Sequence, residues 1–152
     1  MFKLSSRSLS RLEGVDERLV RVVKSAIEIT KVDFGVTCGL RSIEEQERLV
    51  AAGKSQTMKS KHLEGKAVDL VAYCDSQISW ELNLYDDIAE AIREAANKED
   101  VHCKIIWGAA WHIPDICEFY GTMEQANLEY IDLRRSQGRR PFIDAPHFEL
   151  DE

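Results

Sequence analysis

A single carboxylate stands inside the apolar run Ala67-Val68-Asp69-Leu70-Val71-Ala72, and it constrains the fold more than any other residue. The run reads as a buried strand. An ionised carboxylate buried without a partner costs several kcal/mol, so Asp69 requires a cation or strong hydrogen-bond donors beside it. The preceding segment, Ser60-Lys61-His62-Leu63-Glu64-Gly65-Lys66, brings one candidate: His62 leads into the strand through a turn at Gly65.

A second group of the same kind lies at Asp144-Ala145-Pro146-His147-Phe148-Glu149-Leu150. Pro146 fixes the backbone leading into a terminal strand. On that strand His147 and Glu149 share one face and Phe148 takes the other. The two segments supply two imidazoles, one carboxylate inside a strand and a free carboxylate, Asp144, nearby. Zinc in hydrolases typically takes three protein ligands and leaves a fourth position for water, whose pKa it lowers to about 7. Asp144 is the natural group to take a proton from that water and deliver it to a leaving amine. The spacing alone leaves two readings open, a metal centre or a polar network beneath a loop.

The rest of the chain predicts an α+β fold with a small, mainly antiparallel sheet and flanking helices. From Asp16 to about Lys31, Leu19, Val22, Val23, Ala26 and Ile27 follow an amphipathic helical period. Phe34 to Cys38 reads as a short strand. Ser42 and Glu45 form a capping box for a helix running to about Ala52, with Gly53 past its end. Lys54 to Gly65 is polar and loop-like. Ser79 is expected to cap a helix burying Leu84, Ile88, Ala91, Ile92 and Ala95, and Lys104 to Trp107 reads as a strand. Thr122 and Gln125 make a second capping box for a helix ending near Gly138. Neither a repeat nor a Pro/Gly/Ser-rich linker interrupts the chain, so residues 1–152 are expected to form one domain.

Charge and cysteine usage exclude several classes. The chain carries 20 Lys+Arg against 27 Asp+Glu, a formal charge of −7, the opposite of the basic footprint of a nucleic-acid binder. The four cysteines, Cys38, Cys74, Cys103 and Cys117, are widely spaced, with no CxxC pair. They read as buried free thiols of a protein made in a reducing compartment. Met1 to Arg7 turns polar at once, and no stretch approaches the ~18 apolar residues of a membrane span. Synthesis in the cytoplasm without membrane insertion is the expectation.

At these residues the sequence resembles a known family. Ser60-x-His62-x-x-Gly65-x-Ala67-x-Asp69, followed by Asp144-x-x-His147, is similar to the D-Ala-D-Ala carboxypeptidase family of zinc peptidases, within the lysostaphin/D-Ala-D-Ala peptidase/hedgehog superfamily. The likeness is greatest to its phage branch, the L-alanyl-D-glutamate peptidase endolysins. Thr37-Cys38-Gly39-Leu40-Arg41-Ser42, the Gln46 to Ser55 helix end, Gly65 to Leu70 and Pro146 to Leu150 all carry it, from about Phe34 to the C-terminus, with a weaker likeness before. The resemblance implies one zinc per chain held by His62, Asp69 and His147, Asp144 as general base and acid, and Arg41 as a cation near the substrate carbonyl. It implies peptidoglycan stem peptides as substrate, in a lysin that reaches the wall after release by a separate factor. Two departures stand out: Trp107-Gly108-Ala109-Ala110-Trp111 lacks the family's usual Gly-Gly, and Asp144 replaces the Glu of many cellular relatives.

Other residues carry weaker expectations. Ser60 and Trp111 are expected to contact substrate, Ser60 sharing a face with His62 if that segment is extended. Glu149 is a candidate to orient a ligand histidine, and Arg41 has a plainer reading as a surface ion pair beside Ser42. His102 and His112 read as surface or packing residues. Lys54, Lys59, Lys61 and Lys66 cluster around the first motif, either as a solvated loop or as a basic rim that guides stem-peptide carboxylates. A monomer is expected. The rival functions are a D,D-carboxypeptidase or dipeptidase of wall metabolism and a non-catalytic zinc-binding interaction module. Glycan cleavage is disfavoured because it usually needs two carboxylates set across the glycosidic bond.

Overall fold

In the computed structural model, which describes residues 1–152, the chain opens with α1 (Ser6–Arg11), started by the Ser5 hydroxyl accepting from the Ser8 amide. So short a helix shows no readable period, and the sequence does not foresee it. The next helix, α2 (Glu17–Ile29), follows the amphipathic pattern: Asp16 caps it, and Leu19, Val22, Val23, Ala26 and Ile27 are buried. After β1 (Phe34–Cys38) comes α3 (Ile43–Ala51). Its cap is half of the expected box. The Ser42 hydroxyl accepts from the Glu45 amide at 3.1 Å, but the Glu45 carboxylate takes the Ser42 hydroxyl rather than its amide.

The segment before the central strand is a 3₁₀ turn, Lys61–Glu64, not an extended stretch, because the Ser60 hydroxyl caps it by accepting from the His62 amide. The central strand β2 (Ala67–Cys74) turns through Asp75 and Ser76, both at positive φ, into the short strand β3 (Gln77–Ser79). Two left-handed residues form the hairpin turn whose twist matches the strands. Ser79 therefore ends a strand instead of capping a helix, and α4 (Leu82–Lys98) starts after Glu81 with no side-chain cap. Then come β4 (Lys104–Trp107), α5 (Met123–Ser136) with the complete Thr122/Gln125 box, and β5 (His147–Asp151).

The sheet order is β1-β2-β5-β4, with β3 also on β2, and every pairing is antiparallel. Val68, Leu70, Ala72, Phe148 and Leu150 face one hydrophobic cluster shared with Leu19 and Val22 of α2 and Ile88 and Ile92 of α4. Trp107 stacks on Phe148 in the same layer, with ring centroids 6.3 Å apart. All four cysteines are free, yet none is buried: Cys74 is exposed at the β2–β3 hairpin and the other three are partly covered. The expectation of buried thiols fails because Cys38 and Cys74 end strands, while Cys103 and Cys117 pack only against the edge of the core.

One group in α4 opposes the fold. Asp86 has a buried Oδ1 with no hydrogen-bond partner; burial first, then the charges of Glu124, Asp87 and Glu90, push its pKa up to about 6. The folded state thus holds this proton more tightly than the unfolded chain, and stability falls as pH rises from about 4 through 6. Asp86→Asn should stabilise the protein above pH 7 by about 1 kcal/mol, a value discounted for solvent screening of a partly exposed group. The gain should vanish near pH 4, as read by urea denaturation at the two pH values.

Candidate metal centre and catalytic cleft

Asp69 is paired across both edges of β2, with Cys38 of β1 on one side and His147 of β5 on the other. Directly paired residues project from the same face of a sheet, so the three side chains form a row on the face opposite the core. A register shift between Val36 and Cys38 brings the thiol into that row.

The imidazoles close on the carboxylate from two directions. His62, buried in the 3₁₀ turn, bonds Gly39 O through Nδ1 at 2.8 Å and Asp69 Oδ1 through Nε2 at 3.2 Å. His147 bonds Glu149 Oε1 through Nε2 at 2.8 Å and the same Asp69 oxygen through Nδ1 at 3.2 Å. A carbonyl and a carboxylate only accept, so the outer nitrogen of each ring carries a proton. That leaves His62 Nε2 and His147 Nδ1 as the inner, metal-competent atoms, an arrangement typical of ligand histidines. Gly39 is obligatory here, since a Cβ would stand 2.1 Å from Arg11 O.

Electrostatics favour a cation at this point. Burial pulls both imidazole pKa values down, but the bonds to Asp69 and Cys38 together raise His62 to about 10, and those to Asp69 and Glu149 raise His147 to about 9. Burial pushes Asp69 up, and the hydrogen bonds from His147 and His62 hold it well below the ordinary carboxylate range. A cation bound beside Asp69 would take the place of protons on the two imidazoles.

Two close triples of potential donors meet at Asp69: Cys38–His62–Asp69 and Asp69–Asp144–His147. Two donors of a tetrahedral zinc at about 2.0–2.1 Å stand about 3.3 Å apart, which fits the 3.2 Å between Asp69 Oδ1 and each inner nitrogen. Cys38 fits less well. Its Sγ lies 3.6 Å from His62 Nδ1, on the side of the ring already engaged by Gly39. Each triple contains one of the two histidines and both share Asp69, so Cys38, His62, Asp69 and His147 form a possible metal-binding group.

Asp144 is held over the same oxygen cluster by backbone. Its amide donates to Gly108 O at 2.8 Å, its carbonyl accepts from the His147 amide at 3.0 Å, and Gly108 N donates to His147 O at 2.8 Å. Trp107 Nε1 adds a bond to Ala145 O at 2.8 Å. A Cβ on Gly108 would lie 2.1 Å from Asp144 O, so this glycine is indispensable, whereas Ala109 and Ala110 pack in the core. The departure from Gly-Gly therefore leaves the catalytic turn intact. Burial, then the charge of Asp69, raises the Asp144 pKa.

Arg41 lies inside the cleft rather than on the surface. Its Nη1 donates to Gln46 Oε1 at 2.7 Å, its Nη2 to Cys38 Sγ at 3.3 Å, and Nη2 stands 3.7 Å from Asp69 Oδ2. Ser60 and Trp111 line the same cavity of about 680 Å³. The Trp111 ring is 5.4 Å from His147 and 6.3 Å from Phe142. His102 is exposed beside Asp100, and His112 stacks on Tyr130 and bonds Glu129, so neither belongs to the cleft. Cys38 and Gln46 are the neighbours whose contacts the sequence leaves unannounced. Both lie in segments that carry the family likeness, but their spacing alone does not announce these contacts.

Comparison with known proteins finds relatives that match most of the chain. A family model described as phage L-alanyl-D-glutamate peptidase matches residues 1–151, extending the likeness through the N-terminal helices. The L-alanyl-D-glutamate peptidase of Escherichia phage T5 is 29% identical over 115 residues, covering 73% of this chain and 82% of the phage protein. The crystal structure of Serratia marcescens L-Ala D-Glu endopeptidase ChiX superposes with a TM-score of 0.72 at 34% identity, covering 99% of this chain and 90% of that one.

Gly108→Ala tests the backbone clamp. The added methyl group must displace the Asp144 carbonyl, at a cost of about 1–3 kcal/mol, and move the carboxylate out of register. Lower stability in chemical denaturation together with lost hydrolysis is expected. Unchanged values of both would show that the clamp does not position Asp144.

Proposed function

Because the chain belongs to the phage L-alanyl-D-glutamate peptidase family and is a peptidoglycan endopeptidase, we propose that it cuts the L-alanyl-D-glutamate bond of stem peptides with one zinc held by His62 Nε2, the Asp69 carboxylate and His147 Nδ1. The observation that carries the metal assignment is the convergence of two imidazoles, each with its outer nitrogen fixed, on one carboxylate oxygen. When bound, zinc polarises a carbonyl oxygen and makes water acidic enough to attack near neutral pH.

The chain's own residues supply the rest. Asp144 accepts the proton released during attack and hands it to the nitrogen of the departing glutamate; its raised pKa suits a group that must hold and return a proton. Arg41, aimed into the cleft by Gln46, stabilises negative charge as it develops on the scissile carbonyl oxygen. Glu149 and the Gly39 carbonyl keep the two ligand rings in the required tautomers. Ser60 and Trp111 border the bound peptide. This reading takes the chain as one monomeric domain acting as a lysin on the wall after release by a separate factor. No helix is long and apolar enough to cross a membrane.

A non-catalytic zinc module fits poorly, since a structural zinc needs neither the Asp144 carboxyl nor the Arg41 guanidinium at its side. A D,D-carboxypeptidase shares the same chemistry and differs in the bond it reaches.

The metal set is checked by elemental analysis. Purified protein should hold about one zinc per chain, lost on His62→Ala, Asp69→Ala or His147→Ala and kept on Cys38→Ser. Zinc retained by the first three, or lost from Cys38→Ser alone, would replace the assigned ligands.

Catalytic roles are checked with the zinc-loaded variants. Asp144→Ala should keep zinc and lose at least ~10²-fold in turnover, and Arg41→Ala should lose about 10²–10³-fold. Wild-type rates in Asp144→Ala would overturn the mechanism. Mass spectrometry of digested sacculi should show new N-terminal glutamate, stems ending at L-alanine and intact glycan. Free D-alanine with an intact Ala–Glu bond would identify a carboxypeptidase instead.

A further inference from the structure

One wall of the cleft carries charge that the mechanism does not use. Lys54, Lys59 and Lys61 line the cavity, and none of them takes part in an ion pair. Lys66, just outside, does pair, with Glu152 at 2.7 Å. In a chain of net charge −7 with 27 acidic residues, three unpaired cations from one short segment lining one cavity are a departure from the general balance. The acidic residues lining that cavity, Asp69, Asp144 and Glu149, belong to the cluster around the two imidazoles.

The lysine wall is also anchored. Gln46 is fully buried. Its Nε2 donates to Thr57 O at 2.6 Å and to Ser55 Oγ at 2.8 Å, while its Oε1 accepts from Arg41 at 2.7 Å. The Lys54 and Ser55 amides both donate to Leu49 O at the end of α3. One buried amide therefore fixes the loop that bears Lys54 and Lys59 relative to the guanidinium that faces the scissile carbonyl.

Substrate chemistry supplies the matching anion. Glutamate has two carboxyl groups, and a peptide continues from it through only one. When the bond on its amino side lies at the metal centre, the other carboxyl sits within a few bonds of the leaving nitrogen, hence inside the cleft. We propose that the Lys54–Lys59–Lys61 wall binds this second carboxylate, so that the enzyme selects stems in which it is free over stems in which it is amidated. The inference rests on the L-alanyl-D-glutamate peptidase reading and adds the leaving-side specificity to it. Lysines at a solvent-open wall act as flexible point charges rather than a rigid fork, so the preference should appear mainly in KM and weaken as salt screens it.

Two matched stem peptides test it, identical except that the second glutamyl carboxyl is free in one and a carboxamide in the other. The readout is the ratio of their kcat/KM values. For the zinc-loaded wild type the ratio should favour the free acid by about tenfold at low salt, mostly through KM, and fall at about 0.5 M salt, where screening acts over only a few ångströms. In the triple variant Lys54→Met/Lys59→Met/Lys61→Met the ratio should approach one, with zinc content and circular dichroism unchanged. The single variants then assign the lysine that dominates. A wild-type ratio near one, or a tenfold ratio that survives the triple variant, overturns the proposal. Slower digestion of sacculi by the triple variant with an unchanged peptide ratio also overturns it, since the lysines would then hold another wall polymer. Cleavage of neither peptide, with a different bond cut in sacculi, would instead overturn the bond assignment beneath it.

Discussion

The Asp69 carboxylate between His62 and His147 is the interaction on which the architecture turns. It sits in the strand that pairs with three others, one residue from core positions on either side. A charge there is tolerable only because two imidazoles reach it, each through a ring already bonded at its far nitrogen. Removing either partner leaves a buried charge uncompensated, which is far more damaging than the loss of an exposed ion pair. The functional site is thus also an electrostatic condition for closing the sheet.

That condition joins two halves of the chain. From the N-terminal side come Cys38 at the end of β1, Arg41 in the turn after it and His62 in the 3₁₀ turn, tied together by the Arg41 amide donating to His62 O at 2.9 Å. The C-terminal side supplies Asp144, His147 and Glu149 around the β5 start, clamped by Trp107 and Gly108. Neither half holds both imidazoles. They meet only across β2: antiparallel register sets His147 beside Asp69 on paired strands, while the 3₁₀ turn brings in His62 and backbone bonds to Gly108 and His147 hold Asp144.

Legibility in the sequence followed physical cost. Asp69 was readable because a carboxylate in an apolar strand demands an explanation, and the alternation of His147, Phe148 and Glu149 gave their faces directly. The long helices were readable from their period, as was the full capping box at Thr122. Short elements were not: α1 and β3 are set by tertiary packing and by the left-handed turn at Asp75 and Ser76. Ser79 was misplaced for the same reason, since a hydroxyl that accepts from the Glu81 amide serves a strand end as well as a helix start. Ser60 would share a face with His62 on an extended segment; it instead caps the turn that presents His62.

The cleft divides its work according to burial, and this division decides what a sequence can announce. The groups around Asp69 are covered, so their charges act strongly, must be mutually compensated and leave a pattern of fixed spacing. Lys54 and Lys59 stand in solvent and are individually weak. An exposed lysine is ordinary in any loop, and only its place in a cavity that Trp111 and Phe142 also line gives it meaning. Gln46 connects the two regimes, because its buried amide holds Arg41 with one end and the lysine loop with the other. Chemistry on the covered side sets the kind of bond that can be cut. The open wall, carried on a loop that can change without breaking the core, sets which stem peptide presents it.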